Sequence, residues 1–109
     1  FSIARVFYIY HAPDTAKRGG HAHKTLHQFL FVIGAAPIVL RIDDGQHQTP
    51  FTIQPHCQGL HIPPLHWVDI EHIPAGSSIV VLCSHEYDEA DYLREHTGFL
   101  QYCAKARGA

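Results

Sequence analysis

The sequence predicts an all-β domain, an antiparallel sandwich or barrel of short strands followed by one short helix near the carboxyl terminus. Segments rich in β-branched and aromatic residues recur at roughly 8–12-residue intervals, which is typical of this architecture. Turn-forming residues separate them, and Asp44-Gly45 is the strongest hairpin signal. A helical pattern with acidic residues in its first turn occurs only after Tyr87.

The composition indicates one domain and excludes several classes of function. A chain of 109 residues with 46% hydrophobic residues can bury its own core. The formal net charge of -2 provides no basic surface for nucleic acid or anionic membranes. No apolar run approaches the ~20 residues needed to span a bilayer, and the start shows no signal-peptide pattern. The three cysteines form no CxxC pair, so we predict reduced thiols in a soluble, cytoplasmic protein.

The first half of the chain predicts strands around a histidine-rich loop. Residues 3–10 alternate, with Tyr8 and Tyr10 on one face and Phe7 and Ile9 on the other. A loop follows that delivers residue 18 to the histidines. Residues 29–33 are apolar at every position, as expected of a strand that is covered on both sides.

The second half predicts further short strands and then the helix. A hairpin joins 38–43 to 49–53, and more extended segments follow at 60–62, 66–72 and 79–83. Asp88 is the predicted N-cap of a helix over 89–96, which Gly98 ends. Residues 101–109 carry little pattern and are assigned to a tail.

His21 and His23 are the central candidates for chemistry. In an extended strand their imidazoles project from the same face, because side chains alternate with a period of two. Two neighbouring groups with ordinary pKa values of about 6.5 suit either proton transfer or metal binding.

The spacing around these histidines resembles the first motif of the cupin family. That motif has a Gly-led HxH, a Glu after three residues and a Gly after six more; here His21 and His23 are followed by His27 and Gly34. A later stretch places Asp69 near the position of the fourth ligand of metal cupins. Because imidazole and carboxylate both bind zinc or iron, a metal-dependent dioxygenase or isomerase using these side chains is one alternative.

A second resemblance is more specific because it rests on several motifs in one order. These are RVFYIY, RGGHAHKTLHQ, IDDG, GLHIPP followed by His66-Trp67, and HEYDEADYLRE. Together they resemble the sugar 3,4-ketoisomerase family, also called WxcM-like carboxy-terminal. The resemblance implies a cupin jelly-roll, or double-stranded β-helix, barrel over residues 1–100. It also implies action on dTDP-4-keto-6-deoxyglucose without a metal or other cofactor. Family members carry one or two earlier strands exchanged between subunits, so we expect a homodimer and missing amino-terminal strands.

The family resemblance also implies roles for individual residues. It makes His21 and His23 the catalytic pair for a reaction that moves a ketone from C4 to C3 through an enediol. Such a reaction also needs a donor to the developing oxyanion, for which Tyr8 and Tyr10 are the candidates. A non-catalytic cupin that binds a sugar nucleotide as a sensor is the other alternative.

Substrate binding requires contacts to the diphosphate and to the sugar or base. Arg5 and Arg18 are the candidates for the diphosphate, since the guanidinium fork matches phosphate oxygens. Trp67 is a candidate wall for the sugar or base. Tyr87 and Arg94 belong to the last motif and are expected near the nucleotide.

Overall fold

The computed structural model describes residues 1–10 and 18–108, with only the backbone of residues 18 and 19. The described strands are β1 (Arg5–Tyr10), β2 (Arg18–His23), β3 (Gln28–Gly34), β4 (Ile38–Asp43), β5 (Gln48–Ile53), β6 (Gly59–Ile62), β7 (Trp67–Ile70), β8 (Ser77–Cys83) and β9 (Tyr92–Leu93). A 3-10 turn spans Glu89–Asp91, and the helix α1 spans His96–Ala106.

The strands form two antiparallel sheets that face each other. One sheet has the order β1-β8-β3-β6, and the other has the order β5-β4-β7-β2 with the short β9 added at its edge. Successive strands alternate between the sheets except at the β4-β5 hairpin, which is the connectivity of a jelly roll. The predicted all-β cupin fold is confirmed.

The hydrophobic core lies between the two sheets. Alternate residues of β8 point inward, so Ile79, Val81 and Cys83 are buried. The expected cover on both faces of β3 is not supplied within this chain, because Phe29 and Ile33 are 37% and 43% exposed. Only the inner face of β3 meets the opposite sheet, and its outer face is apolar but open.

The helix prediction was wrong in position. Asp88 does act as an N-cap, accepting a hydrogen bond from the Ala90 amide, but only the 3-10 turn follows it. The chain then becomes extended as β9, which pairs with the end of β2. The helix begins at His96, continues through Gly98 and includes most of the predicted tail.

Helix α1 forms where it does because its apolar face meets the β2 sheet. Phe99 and Cys103, four residues apart, are both buried against Ala22 and Trp67. No helix in residues 1–10 and 18–108 is long and apolar enough to cross a membrane.

Candidate active site

A cavity of about 340 Å³ lies between the two sheets. Aliphatic residues from both inner faces line most of it. Polar and aromatic groups also reach it from four strands and from the segments that precede the 3-10 turn and follow β9: Arg5, His21, Gln28, Tyr92, Tyr87 and Arg94. An apolar pocket with a few convergent polar groups is typical of a small-molecule site.

The two histidines of β2 lie side by side, and the first of them reaches this cavity. Their ring centroids are 5.1 Å apart and the rings meet edge to face. His21 lines the cavity, while His23 is only 6% exposed. A register shift between Gly19 and His21 interrupts the pairing of β2 with β7 just before the pair. The predicted juxtaposition of the imidazoles is confirmed.

Tyr92 completes the aromatic surroundings of the pair. It lies opposite His23 in the β2-β9 pairing. Its ring centroid lies 5.1 Å from that of His21 and 4.3 Å from that of His23. Since Tyr92 also lines the cavity, it places a phenol beside both imidazoles.

Asp91 forms a hydrogen bond with His23, the more buried histidine of the pair. Its Oδ2 lies 3.1 Å from Nδ1 of His23, and both side chains are 6% exposed. The other oxygen accepts hydrogen bonds from the backbone amide and the hydroxyl of Thr25, at 2.8 and 2.7 Å. The Leu26 amide donates to Oδ2 at 3.3 Å. Four hydrogen bonds therefore fix this carboxylate beside His23.

The charge states of this pair follow from burial and hydrogen bonding. Burial, with the nearby His21 adding to it, lowers the pKa of His23 to about 4 despite the opposing effect of Asp91. Burial alone would raise the pKa of Asp91, but the hydrogen bonds from Thr25 and His23 outweigh it and the pKa is lowered. At neutral pH a neutral His23 therefore donates through Nδ1 to an ionised Asp91. Nε2 of His23 is buried and has no hydrogen-bond partner among the described residues.

Two arginines line the cavity. The Arg5 guanidinium lies 5.7 Å from the Tyr87 ring centroid, and its Nε is buried without a partner in the described structure. Arg94 lies 4.0 Å over the Tyr92 ring and donates to both oxygens of Glu89 at 2.7 and 2.8 Å. The charge of Arg94 is thus paired, whereas Arg5 retains hydrogen-bonding capacity for an anion.

Comparison with known proteins identifies the family. The family model described as FdtA, WxcM-like, C-terminal matches residues 1–104. The chain belongs to this family.

Relatives of this WxcM-like chain include enzymes of known activity. It is 36% identical over 105 residues to TDP-4-oxo-6-deoxy-alpha-D-glucose-3,4-oxoisomerase of Aneurinibacillus thermoaerophilus, covering 96% of this chain and 75% of the relative. QdtA, a sugar 3,4-ketoisomerase from Thermoanaerobacterium thermosaccharolyticum solved with TDP, is 31% identical with a TM-score of 0.90, covering 97% and 77%. The WlaRB TDP-quinovose 3,4-ketoisomerase from Campylobacter jejuni is 32% identical with a TM-score of 0.84, covering 93% and 77%.

The WxcM-like barrel does not bring the two predicted tyrosines of β1 to the histidines. Tyr8 and Tyr10 are 66% and 63% exposed on the outer face of their sheet. The inward positions of β1 belong to Arg5, Phe7 and Ile9, which line the cavity. The phenol beside the histidines comes instead from Tyr92, which the sequence had placed in a helix.

Of the predicted substrate-binding residues, too, only some are placed at the cavity. Arg5 lines the cavity, whereas the side chain of Arg18 lies outside the described part of the structure. Trp67 is buried away from the cavity, where its Nε1 donates to Asp69 at 3.1 Å and its ring packs on Phe99. Trp67 thus packs against helix α1 and does not line this cavity, and its role as a substrate wall stays a prediction.

The four ligands of the metal-cupin alternative are not assembled. Nδ1 of His27 lies 3.0 Å from Nε2 of His61, and Asp69 accepts the hydrogen bond from Trp67. Across the described ranges, no three His, Cys, Asp or Glu side chains are grouped to hold a metal ion. His27, the residue that departs from the cupin motif, pairs with an exposed histidine of β6 instead.

Proposed function

We propose that this chain is a sugar-nucleotide 3,4-ketoisomerase that converts dTDP-4-oxo-6-deoxyglucose to a dTDP-3-oxo-6-deoxyhexose. The observation that carries the proposal is the adjacent imidazole pair at the cavity, with one member held neutral on a buried carboxylate. The relatives named as TDP-sugar 3,4-ketoisomerases support the same reaction.

The reaction needs a base and an acid on neighbouring carbons. The C4 carbonyl acidifies the hydrogen on C3, so a neutral imidazole removes that proton, the electrons form the C3–C4 double bond, and the C4 oxygen takes up a proton to give an enediol. The proton on the C3 oxygen then leaves, C3 becomes the carbonyl and C4 receives a proton. His21 and His23 have rings 5.1 Å apart and can serve these adjacent positions. No electrons leave the sugar, so the step needs no redox partner.

The remaining groups bind the substrate and stabilise the enediolate. Tyr92 contacts both imidazole rings, and we assign to it the hydrogen bond to the developing oxyanion. Arg5 has an unpartnered buried Nε at the cavity and is the candidate contact for the diphosphate. Arg18 remains the second candidate for that contact.

Incubation of the purified protein with dTDP-4-oxo-6-deoxyglucose in deuterated water tests this function. We expect a 3-oxo product by NMR, or exchange of the C3 hydrogen for deuterium, at a rate proportional to enzyme concentration. Protein in which both His21 and His23 are replaced by Ala is the control. If the wild-type chain binds TDP but yields neither product nor exchange, it is a nucleotide-binding module and not an isomerase.

We also propose that the enzyme is a homodimer that covers the outer face of the β1-β8-β3-β6 sheet. This face exposes a row of large hydrophobic side chains: Val6, Tyr8, Tyr10, Phe29 and Ile33. Contiguous exposed apolar patches of this kind are typical of protein interfaces. The proposal gives Tyr8 and Tyr10 a place in the interface.

Val6→Glu should therefore weaken the dimer, because symmetry brings two buried negative charges to one interface. Sedimentation velocity should show twice the chain mass for the wild-type protein and a dissociation constant raised at least tenfold in the variant. The matched control is Val39→Glu, since Val39 is 49% exposed on the outer face of the opposite sheet. A monomeric wild-type protein, or equal weakening by both variants, would contradict the proposal.

A further inference from the structure

We propose that Gln28 is a substrate-binding residue whose carboxamide hydrogen-bonds the hexose of the sugar nucleotide. The inference rests on the proposed function and deepens it, because it assigns one wall of the cavity to the hydroxyl and keto oxygens of the sugar. It also makes statements about binding and stability that can be measured without turnover.

Gln28 is a buried polar residue on an otherwise apolar face. It is the first residue of β3 and lies on the inner face with Leu30 and Val32, which are both buried. Its partners on the neighbouring strands are Ile62 of β6 and Cys83 of β8, which are buried as well. An aliphatic side chain would pack among these neighbours without any need for hydrogen bonds. The packing of the barrel therefore does not account for an amide at this position.

The carboxamide of Gln28 has no partner in the described part of the structure. The residue is only 7% exposed, and its side chain forms no hydrogen bond with another group in residues 1–10 and 18–108. Its polar atoms are nevertheless not fully enclosed, as Nε of Arg5 and Nε2 of His23 are. They remain accessible because Gln28 lines the cavity of about 340 Å³. Since an unpartnered buried polar group is destabilising, the amide is arranged for a ligand that occupies the cavity.

A carboxamide suits the oxygens of a keto sugar. Its NH2 group donates hydrogen bonds and its oxygen accepts them, whereas the guanidinium groups of Arg5 and Arg94, which also line the cavity, only donate. A hydroxyl beside a carbonyl needs both functions, because the hydroxyl donates and the carbonyl accepts. The amide is neutral, so it is not the group for the diphosphate, which charged donors bind more strongly. Gln28 therefore matches the hexose.

Gln28→Met removes the amide and keeps an unbranched side chain of similar length. We expect kcat/KM for dTDP-4-oxo-6-deoxyglucose to fall roughly ten- to a hundredfold, because an oxygen of the sugar then lies unpaired against an apolar wall. Calorimetry should show an affinity for dTDP-6-deoxyglucose, which has no carbonyl to isomerise, that is lower by about tenfold. The affinity for TDP, which lacks the hexose, should change less than threefold.

The melting temperature separates binding from a structural role. That of Gln28→Met should equal or exceed the wild-type value, because the variant no longer buries an unpartnered amide. The matched control is Gln101→Met, since Gln101 is exposed on helix α1. It should leave kcat/KM and both affinities unchanged.

Three results would overturn the inference. They are a Gln28→Met variant that retains kcat/KM within threefold, equal losses of affinity for TDP and for dTDP-6-deoxyglucose, or a variant that melts earlier or fails to fold, which would make the amide a structural element of the barrel. If the wild-type protein shows no isomerase activity, the proposed function fails, whereas the two affinities still decide whether Gln28 binds the hexose.

Discussion

His23→Asn should remove nearly all turnover while the protein still binds TDP. The substitution takes away one imidazole of the proposed proton-transfer pair, and positioned acid–base groups typically contribute about 10²–10⁴-fold to rate. We expect kcat to fall roughly a thousandfold, within that range. The diphosphate contact proposed for Arg5 remains in place, so TDP affinity measured by calorimetry should change less than threefold. His21→Ala should give a loss of similar size.

The control for these variants is His61→Asn, which changes an exposed histidine of β6 that pairs with His27. It should have wild-type kcat. If both His21→Ala and His23→Asn retain activity, proton transfer by this pair is wrong. A loss of TDP binding in parallel with kcat would instead indicate a folding or binding defect.

Acidification should destabilise the wild-type protein through His23. Its pKa is about 4 in the folded state, below its ordinary value of 6.5, so the unfolded chain binds more protons between these pH values. Stability therefore rises with pH across this window and is lost as the pH falls from 6.5 to 4. A shift of this size corresponds to about 3 kcal/mol of unfolding free energy. The lowered pKa of Asp91 acts in the same direction at lower pH.

Urea denaturation of wild type, His23→Asn and His61→Asn at pH 7 and pH 4 measures this contribution. The unfolding free energy of His23→Asn should fall about 3 kcal/mol less than that of wild type over this interval. His61→Asn should follow the wild-type curve. Identical pH dependence in all three proteins would show that His23 is not held neutral by the fold.

Local rules explain what the sequence predicted well. Alternation with a period of two and turn chemistry act over a few residues, so most strands and the Asp44-Gly45 turn were recognisable. The same rule brought His21 and His23 to one face of β2 without knowledge of any other strand. Arg5 was predicted from its chemistry and lies at the cavity.

Alternation could not decide which face of β1 is buried. Both faces carry aromatic or aliphatic residues, so Tyr8 and Tyr10 were as plausible at the site as Phe7 and Ile9. The antiparallel register with β8 decides which face of β1 is buried. It pairs Phe7 with Val81 and Ile9 with Ile79, and these two residues of β8 face the other sheet.

By itself, then, the sequence determined the all-β class, the histidine pair and the family, because these depend on local periodicity and on motifs in order. The tertiary structure alone decided that Asp91 holds His23 and that Tyr92 stands beside the pair. Asp91 lies 68 positions from His23, in a segment whose acidic pattern also suits a helix. Asp91 and Tyr92 reach the imidazoles because β9 pairs with β2, and this pairing brings distant parts of the chain into contact.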